Sequence, residues 1–218
     1  MDHATRMAQF QTGDLYVVIT EEFCAGRPAL DILSACLDAG VRLVQLREKS
    51  LEDRELFLRA EQFREKTAAA GAMLIIDDRL DVALATGADG VHLGQQDLPV
   101  AAARRIAPDL IIGASTHSPE QAAAAQDAGA SYVNIGPIFP TDTKAVSAGP
   151  LGPEMIARVA PLLRIPFTCM GGIKTHNIAE VVRRGAQHVA VVTAVTAAPD
   201  VRAAVAALRA AIGANTIS

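Results

Sequence analysis

Eight short runs of β-branched and apolar residues recur along the chain at intervals of 20 to 30 residues. They fall at 15–20 (LYVVIT), 42–47 (RLVQLR), 73–77 (MLIID), 90–94 (GVHLG), 110–115 (LIIGAS), 132–136 (YVNIG), 166–171 (PFTCMG) and 188–193 (HVAVVT). Amphipathic Ala- and Leu-rich segments separate them, with helical patterns at 29–39, 52–70, 119–128 and 177–184 and a last one at 199–212. Gly40, Gly71, Gly129 and Gly185 stand where helices give way to strands, as left-handed caps do. A strand followed by a helix eight times over calls for parallel neighbours, since these need a helical crossover. The simplest closure is a single (β/α)₈ barrel, an α/β fold that typically takes about 250 residues. An open doubly wound sheet is the rival, but Thr20 is followed by EEFCAGRP rather than a GxGxxG turn. This reading gives a leading extension at 1–14, the barrel at 15–212 and a tail at 213–218.

Composition narrows the picture. The chain has 218 residues, is 50% hydrophobic but only 4% aromatic, and holds 42 alanines, which suits closely packed helices rather than a loop-rich β-sandwich. A formal net charge of −4 argues against a nucleic-acid partner. Three cysteines, Cys24, Cys36 and Cys169, form no CxxC pair, so a disulfide framework is not expected. The opening residues show no signal-peptide core and no apolar stretch reaches 18 residues, so a cytoplasmic protein without membrane contact is expected. Homo-oligomer formation is left open.

Barrel enzymes place their chemistry at the C-terminal strand ends. The second run continues as QLREK, whose alternation puts Gln45, Arg47 and Lys49 on one face, a suitable clamp for phosphate or pyrophosphate. The alternative is that Arg47 and Lys49 only pair with Glu48 or Glu52 in solvent. Asp78 and Asp97 follow the third and fourth runs, where they either share a Mg²⁺ ion with substrate phosphates or cap the next helices. The fifth run ends with Ser115, Thr116 and His117; the hydroxyls can donate to phosphate oxygens, and His117, which could titrate near neutral pH, reads first as a solvent-exposed turn residue. The one long irregular connection, 137–152, offers Thr141, Thr143 and Lys144. Gly171, Gly172 and Ile173 after the seventh run, with Val192 and Thr193 after the eighth, suit a backbone phosphate cradle ahead of a short helix at 193–197. Two anion sites, one basic and the other a backbone cradle, point to an enzyme joining or rearranging small phosphorylated molecules.

The strings QLREK, DDR, GVHLGQQDLP, GAST, YVNIGPIFPTDTK, MGGI and VAVVTAV follow one another in the order and spacing of the thiamine phosphate synthase family, which the chain resembles over 15–208. The resemblance implies a transferase that joins 4-amino-2-methyl-5-hydroxymethylpyrimidine pyrophosphate to hydroxyethylthiazole phosphate and releases pyrophosphate. It implies pyrophosphate contacts at Gln45, Arg47, Lys49, Ser115 and Lys144, with Arg47, Lys49 and Lys144 serving the departing group. It further implies Mg²⁺ on Asp78 and Asp97, and thiazole-phosphate contacts at Thr141, Thr143, Gly172, Val192 and Thr193. Asp77 departs from the Asn usual in the family and would sit beside the pyrophosphate, and AVSAGPLG after Lys144 lacks the acidic residue that many members carry. Two other readings compete: a thiazole tautomerase using His117 as its base, and a non-catalytic barrel that binds thiazole phosphate.

Overall fold

The structure, a computed structural model, describes residues 1–143 and 149–215. Lys144 and residues 216–218, the end of the expected tail, lie outside the described residues. After helix α1 (His3–Gln11), eight strands alternate with helices: β1 (Leu15–Ile19), α2 (Ala29–Asp38), β2 (Leu43–Leu46), α3 (Asp53–Ala69), β3 (Met73–Asp77), α4 (Leu80–Ala85), β4 (Gly90–Leu93) and α5 (Val100–Ile106). The second half runs β5 (Ile111–Thr116), α6 (Pro119–Asp127), β6 (Tyr132–Ile135), α7 (Glu154–Val159), β7 (Phe167–Cys169), α8 (Ile178–Arg183), β8 (His188–Val191), α9 (Thr193–Thr196) and α10 (Val201–Gly213). All eight strands pair in parallel in sequence order, and β1 closes on β8 through pairs such as Tyr16 with Ala190. The expected (β/α)₈ barrel is the fold.

Both faces of every strand are covered, which is why the strand sequences read as continuous apolar runs. One parity faces the helices: Leu15, Val17, Val44, Leu74 and Ile112 join Ile32, Phe63 and Leu208 of the surrounding helices in the larger core. The other parity fills the barrel: Tyr16, Leu43, Met73, Ile75, Ile111, Tyr132 and Ala190 form a second apolar cluster with Phe10. Helices dock by their expected spacing. In α2 the buried positions are Ala29, Ile32, Leu33 and Cys36, one face of a 3.6-residue period. The last helix starts at Val201 rather than 199 because Asp200 caps it, accepting from the Ala203 amide at 2.9 Å.

The residues before β1 hold a helix that the hydrophobic pattern did not reveal. Asp2 caps α1 by accepting the Thr5 amide at 2.8 Å, and Phe10 plugs the barrel floor, stacked on Tyr132 with ring centroids 4.7 Å apart. Strand β7 is shorter than expected, because Gly171 turns the chain at φ +100°.

Tyr132 lies inside the barrel because Gly113 on the neighbouring strand yields the space: a Cβ there would stand 2.2 Å from the Tyr132 ring and 2.5 Å from His92 Nδ1. Gly113→Ala is therefore expected to lower stability by about 1–3 kcal/mol, read as a lower Tm. An unchanged Tm would mean that the ring has room to move.

Candidate functional site

The polar ends of β2, β3 and β4 converge at the C-terminal mouth of the barrel. Gln45 is buried within β2, and Arg47 and Lys49 continue its face beyond the strand. Their partners are not Glu48 and Glu52. Lys49 Nζ lies 2.7 Å from Asp77 Oδ2 and also hydrogen-bonds Asp78, while Arg47 Nε lies 3.5 Å from Asp77 Oδ2. Glu48 turns away and accepts the Glu21 amide at 2.9 Å. Burial draws the Lys49 pKa down, but the carboxylates of Asp77 and Asp78 outweigh it and hold the ammonium above the ordinary lysine value. Burial raises the Asp77 pKa above the usual range even though Lys49 pulls against it.

Asp78 adopts φ +61°, a left-handed conformation that Asp tolerates better than most side chains. Its amide donates to the His92 carbonyl at 2.8 Å, and its carboxyl lies close enough to that of Asp97 for each to shift the other's pKa. Asp97 is set by its own turn, where Oδ2 accepts the Gly94 amide at 2.6 Å. Neither aspartate caps a helix: α4 follows Arg79 and α5 follows Pro99, both without a side-chain cap. Burial and the contact with Asp78 raise the Asp97 pKa; against the same burial, the hydrogen bonds to Asp97 and Lys49 hold Asp78 below the usual range.

Across the mouth, the loops after β6, β7 and β8 enclose a cavity of about 540 Å³. Thr141, Thr143, Gly172, Val192 and Thr193 all line it. Gly172 is required where it stands: φ is +62°, and a Cβ would fall 2.3 Å from the Pro140 carbonyl oxygen. The 171–172 turn is clasped to the loop after β6 by the Phe139 amide, which donates to the Gly171 carbonyl at 3.0 Å. Among the described residues the amides of Gly172 and Ile173 donate no backbone hydrogen bond. The short helix expected at 193–197 is present as α9. Thr141 and Thr143 meet hydroxyl to hydroxyl at 3.0 Å.

Sequence reading passed over Lys174. Its Nζ donates to Thr193 Oγ1 at 2.6 Å at the edge of the 540 Å³ cavity, and burial lowers its pKa. The signal was a lysine two residues after the Gly-Gly pair, followed by Asn177, whose amide donates to the Gly172 carbonyl at 3.0 Å. Thr143 also lines a second cavity of about 360 Å³ beside Arg47, Lys49 and Arg59, so the basic cluster and the cradle share a wall. A narrow gap between them is lined by Ser115, His117, Thr141 and Thr143. His117 is no exposed turn residue: it is half-buried, and its Nδ1 contacts the Gly136 carbonyl at 2.6 Å. The three cysteines are buried and unpaired, and burial pushes the Cys24 thiol to about 11 and Cys36 to about 12, which keeps them unreactive.

The donor set suits Mg²⁺. Among the described residues no group of three or more His, Cys, Asp or Glu side chains could enclose a metal ion. The adjacent carboxylates of Asp78 and Asp97 could supply two ligands to a Mg²⁺ ion that keeps waters and takes phosphate oxygens from substrate.

Comparison with known proteins shows the family. Residues 15–195 match the family model for thiamine monophosphate synthase. The chain is 44% identical to thiamine-phosphate synthase of Pelotomaculum thermopropionicum over 91% of its length and 92% of the relative's. It is 42% identical to that of Shouchella clausii over 91% and 95% of the respective chains. Among solved structures, thiamine phosphate pyrophosphorylase from Pyrococcus furiosus superposes with a TM-score of 0.85 at 36% identity, covering 95% of this chain and 98% of the other. A 3-hexulose-6-phosphate synthase, at 20% identity and a TM-score of 0.68, shares the fold alone.

Proposed function

The chain belongs to the thiamine monophosphate synthase family, a family of transferases, and from that premise we propose how its own residues carry the reaction. The substrates are an aminopyrimidine carrying a methylene pyrophosphate and a hydroxyethylthiazole phosphate. The observation that carries the reading is the shared wall at Thr143: a basic cluster and a phosphate-sized cradle open side by side on one face. Pyrophosphate lies against Arg47, Lys49 and Ser115, with Gln45 on the floor beneath; the role of Lys144 rests on the family resemblance alone. The thiazole phosphate lies among Thr141, Thr143, Gly172, Val192 and Thr193, with Lys174 as an added cation.

The bond between the methylene carbon and the pyrophosphate oxygen breaks, and its electron pair leaves with pyrophosphate. The aminopyrimidine ring stabilises the resulting cation, and the lone pair of the thiazole nitrogen then forms the new C–N bond. No proton moves and no protein nucleophile is needed. Arg47 and Lys49 stabilise the charge that grows on the departing group, and the cradle holds the thiazole nitrogen in line. Mg²⁺ held by Asp78 and Asp97 would add positive charge at the pyrophosphate oxygens. Before substrate arrives, Asp77 holds Arg47 and Lys49 in place, so the incoming anion competes with a resident carboxylate.

The test is to mix the purified protein with both phosphorylated substrates, with and without Mg²⁺, and follow thiamine phosphate by mass spectrometry. Mg²⁺-dependent product is expected. Folded protein that binds thiazole phosphate but yields no product would favour the tautomerase or binding-protein reading. Lys174→Met is expected to raise KM for the thiazole phosphate roughly tenfold, the cost of one charge-assisted hydrogen bond, at unchanged KM for the pyrophosphate substrate. An unaltered thiazole-phosphate KM would remove Lys174 from the cradle.

A further inference from the structure

A chain of hydrogen bonds crosses the barrel beneath the site. Gln45 Nε2 donates to the Tyr16 hydroxyl at 3.0 Å, and the Tyr16 and Tyr132 hydroxyls meet at 3.1 Å. The Tyr132 hydroxyl lies 2.9 Å from His92 Nδ1, and His92 Nε2 lies 2.9 Å from Ser115 Oγ. None of the five side chains belongs to a residue more than 8% exposed, so water cannot substitute along the way. The strand register builds this line, because Gln45, His92 and Ser115 sit on the inward parity of β2, β4 and β5, with the two tyrosines between them.

Counting protons sets its direction. Each tyrosine has one hydroxyl proton to give. Once Gln45 donates to Tyr16, Tyr16 must donate to Tyr132 and Tyr132 to His92 Nδ1. That nitrogen is then an acceptor, so the ring proton sits on Nε2 and is given to Ser115 Oγ. The Ser115 proton is left to point outward, and at the other end Gln45 Oε1 is left to accept. The proposed substrate asks for the same direction: its pyrophosphate can only accept, so Ser115, which lines the gap beside Thr141 and Thr143, meets it as a donor.

We propose that these five residues form a one-way hydrogen-bond relay that presents an acceptor at Gln45 and a donor at Ser115 on the floor of the site, with Gln45 setting its direction and His92 as the positioning residue that passes it from Tyr132 to Ser115. Gln45 Oε1 thereby selects an N–H group of the bound heterocycle, and Ser115 Oγ–H selects an anionic oxygen. The relay rests on the proposed condensation only for what it meets, an exocyclic amine and a pyrophosphate.

The experiment is ¹⁵N NMR of protein labelled in its histidines, with the His92 signals assigned by their loss in His92→Gln. In the unaltered protein at neutral pH the proton is expected on Nε2, with Nδ1 bare. In Gln45→Glu at pH 8 the carboxylate can only accept, so every bond reverses and the proton is expected on Nδ1, three hydrogen bonds from the substitution. A purely structural set of contacts has no reason to transmit that change. A proton on Nδ1 in the unaltered protein, alone or together with Nε2, overturns the relay, and so does the same protonated nitrogen in both proteins. Should Gln45→Glu fail to fold, the unaltered protein decides alone. The expected ring proton together with no condensation product would refute the proposed function and leave the relay standing.

Discussion

Arg47→Ala is expected to lower kcat by about 10²–10³-fold, the usual cost of removing one preorganised group that meets charge developing in the transition state. Two effects act together. The guanidinium that faces the departing pyrophosphate is gone, and Asp77, left with Lys49 as its one remaining ion-pair partner among the described residues, exerts a stronger negative field on the same anion. KM for the pyrophosphate substrate rises as well. Affinity for the thiazole phosphate stays within about twofold of the original, since Arg47 does not line the 540 Å³ cavity. Steady-state kinetics for both substrates and calorimetric titration of the thiazole phosphate would check this. Equal loss of both affinities would mean that the substitution disturbs the whole mouth.

The second large effect is expected from Asp97→Asn. Asn keeps the shape of the side chain and can still accept the Gly94 amide, so the turn persists. It removes one of two neighbouring carboxylates, each of which feels the other's charge. The Mg²⁺ concentration giving half-maximal turnover should rise by roughly 10–100-fold, in line with the affinity lost when a metal site is weakened. Without metal, the variant should melt at the same temperature or higher, because like-charge repulsion with Asp78 is relieved. A Mg²⁺ titration that superimposes on that of the unaltered protein would remove Asp97 as a ligand.

Much of this molecule was legible in its sequence because parallel strands covered on both faces leave unbroken apolar runs. All eight strands were placed that way, to within a few residues at their ends. Alternation within QLREK likewise put Gln45, Arg47 and Lys49 on one face without any structure. What failed was local. Helix α1 was missed because its anchoring residue is the single aromatic Phe10, whose partners Tyr132 and His188 lie more than 100 residues away. Lys174 was missed because its nearness to Thr193 arises only when β7 and β8 stand side by side.

Sequence alone determined the class of fold, the order of the strands and the residue types at each strand end, because the period of the hydrophobic pattern and the need for crossover helices are properties of the local chain. Tertiary structure decided partnership. Arg47 and Lys49 could have paired with neighbouring glutamates, but barrel closure brings Asp77 and Asp78 within reach. Asp78 and Asp97 could have been helix caps, but the left-handed turn at Asp78 faces them toward each other. The line from Gln45 to Ser115 exists only because strand register stacks side chains from five strands inside one barrel. Such contacts depend on distance in space, and a hydrogen bond formed 116 residues apart leaves no periodic trace along the chain.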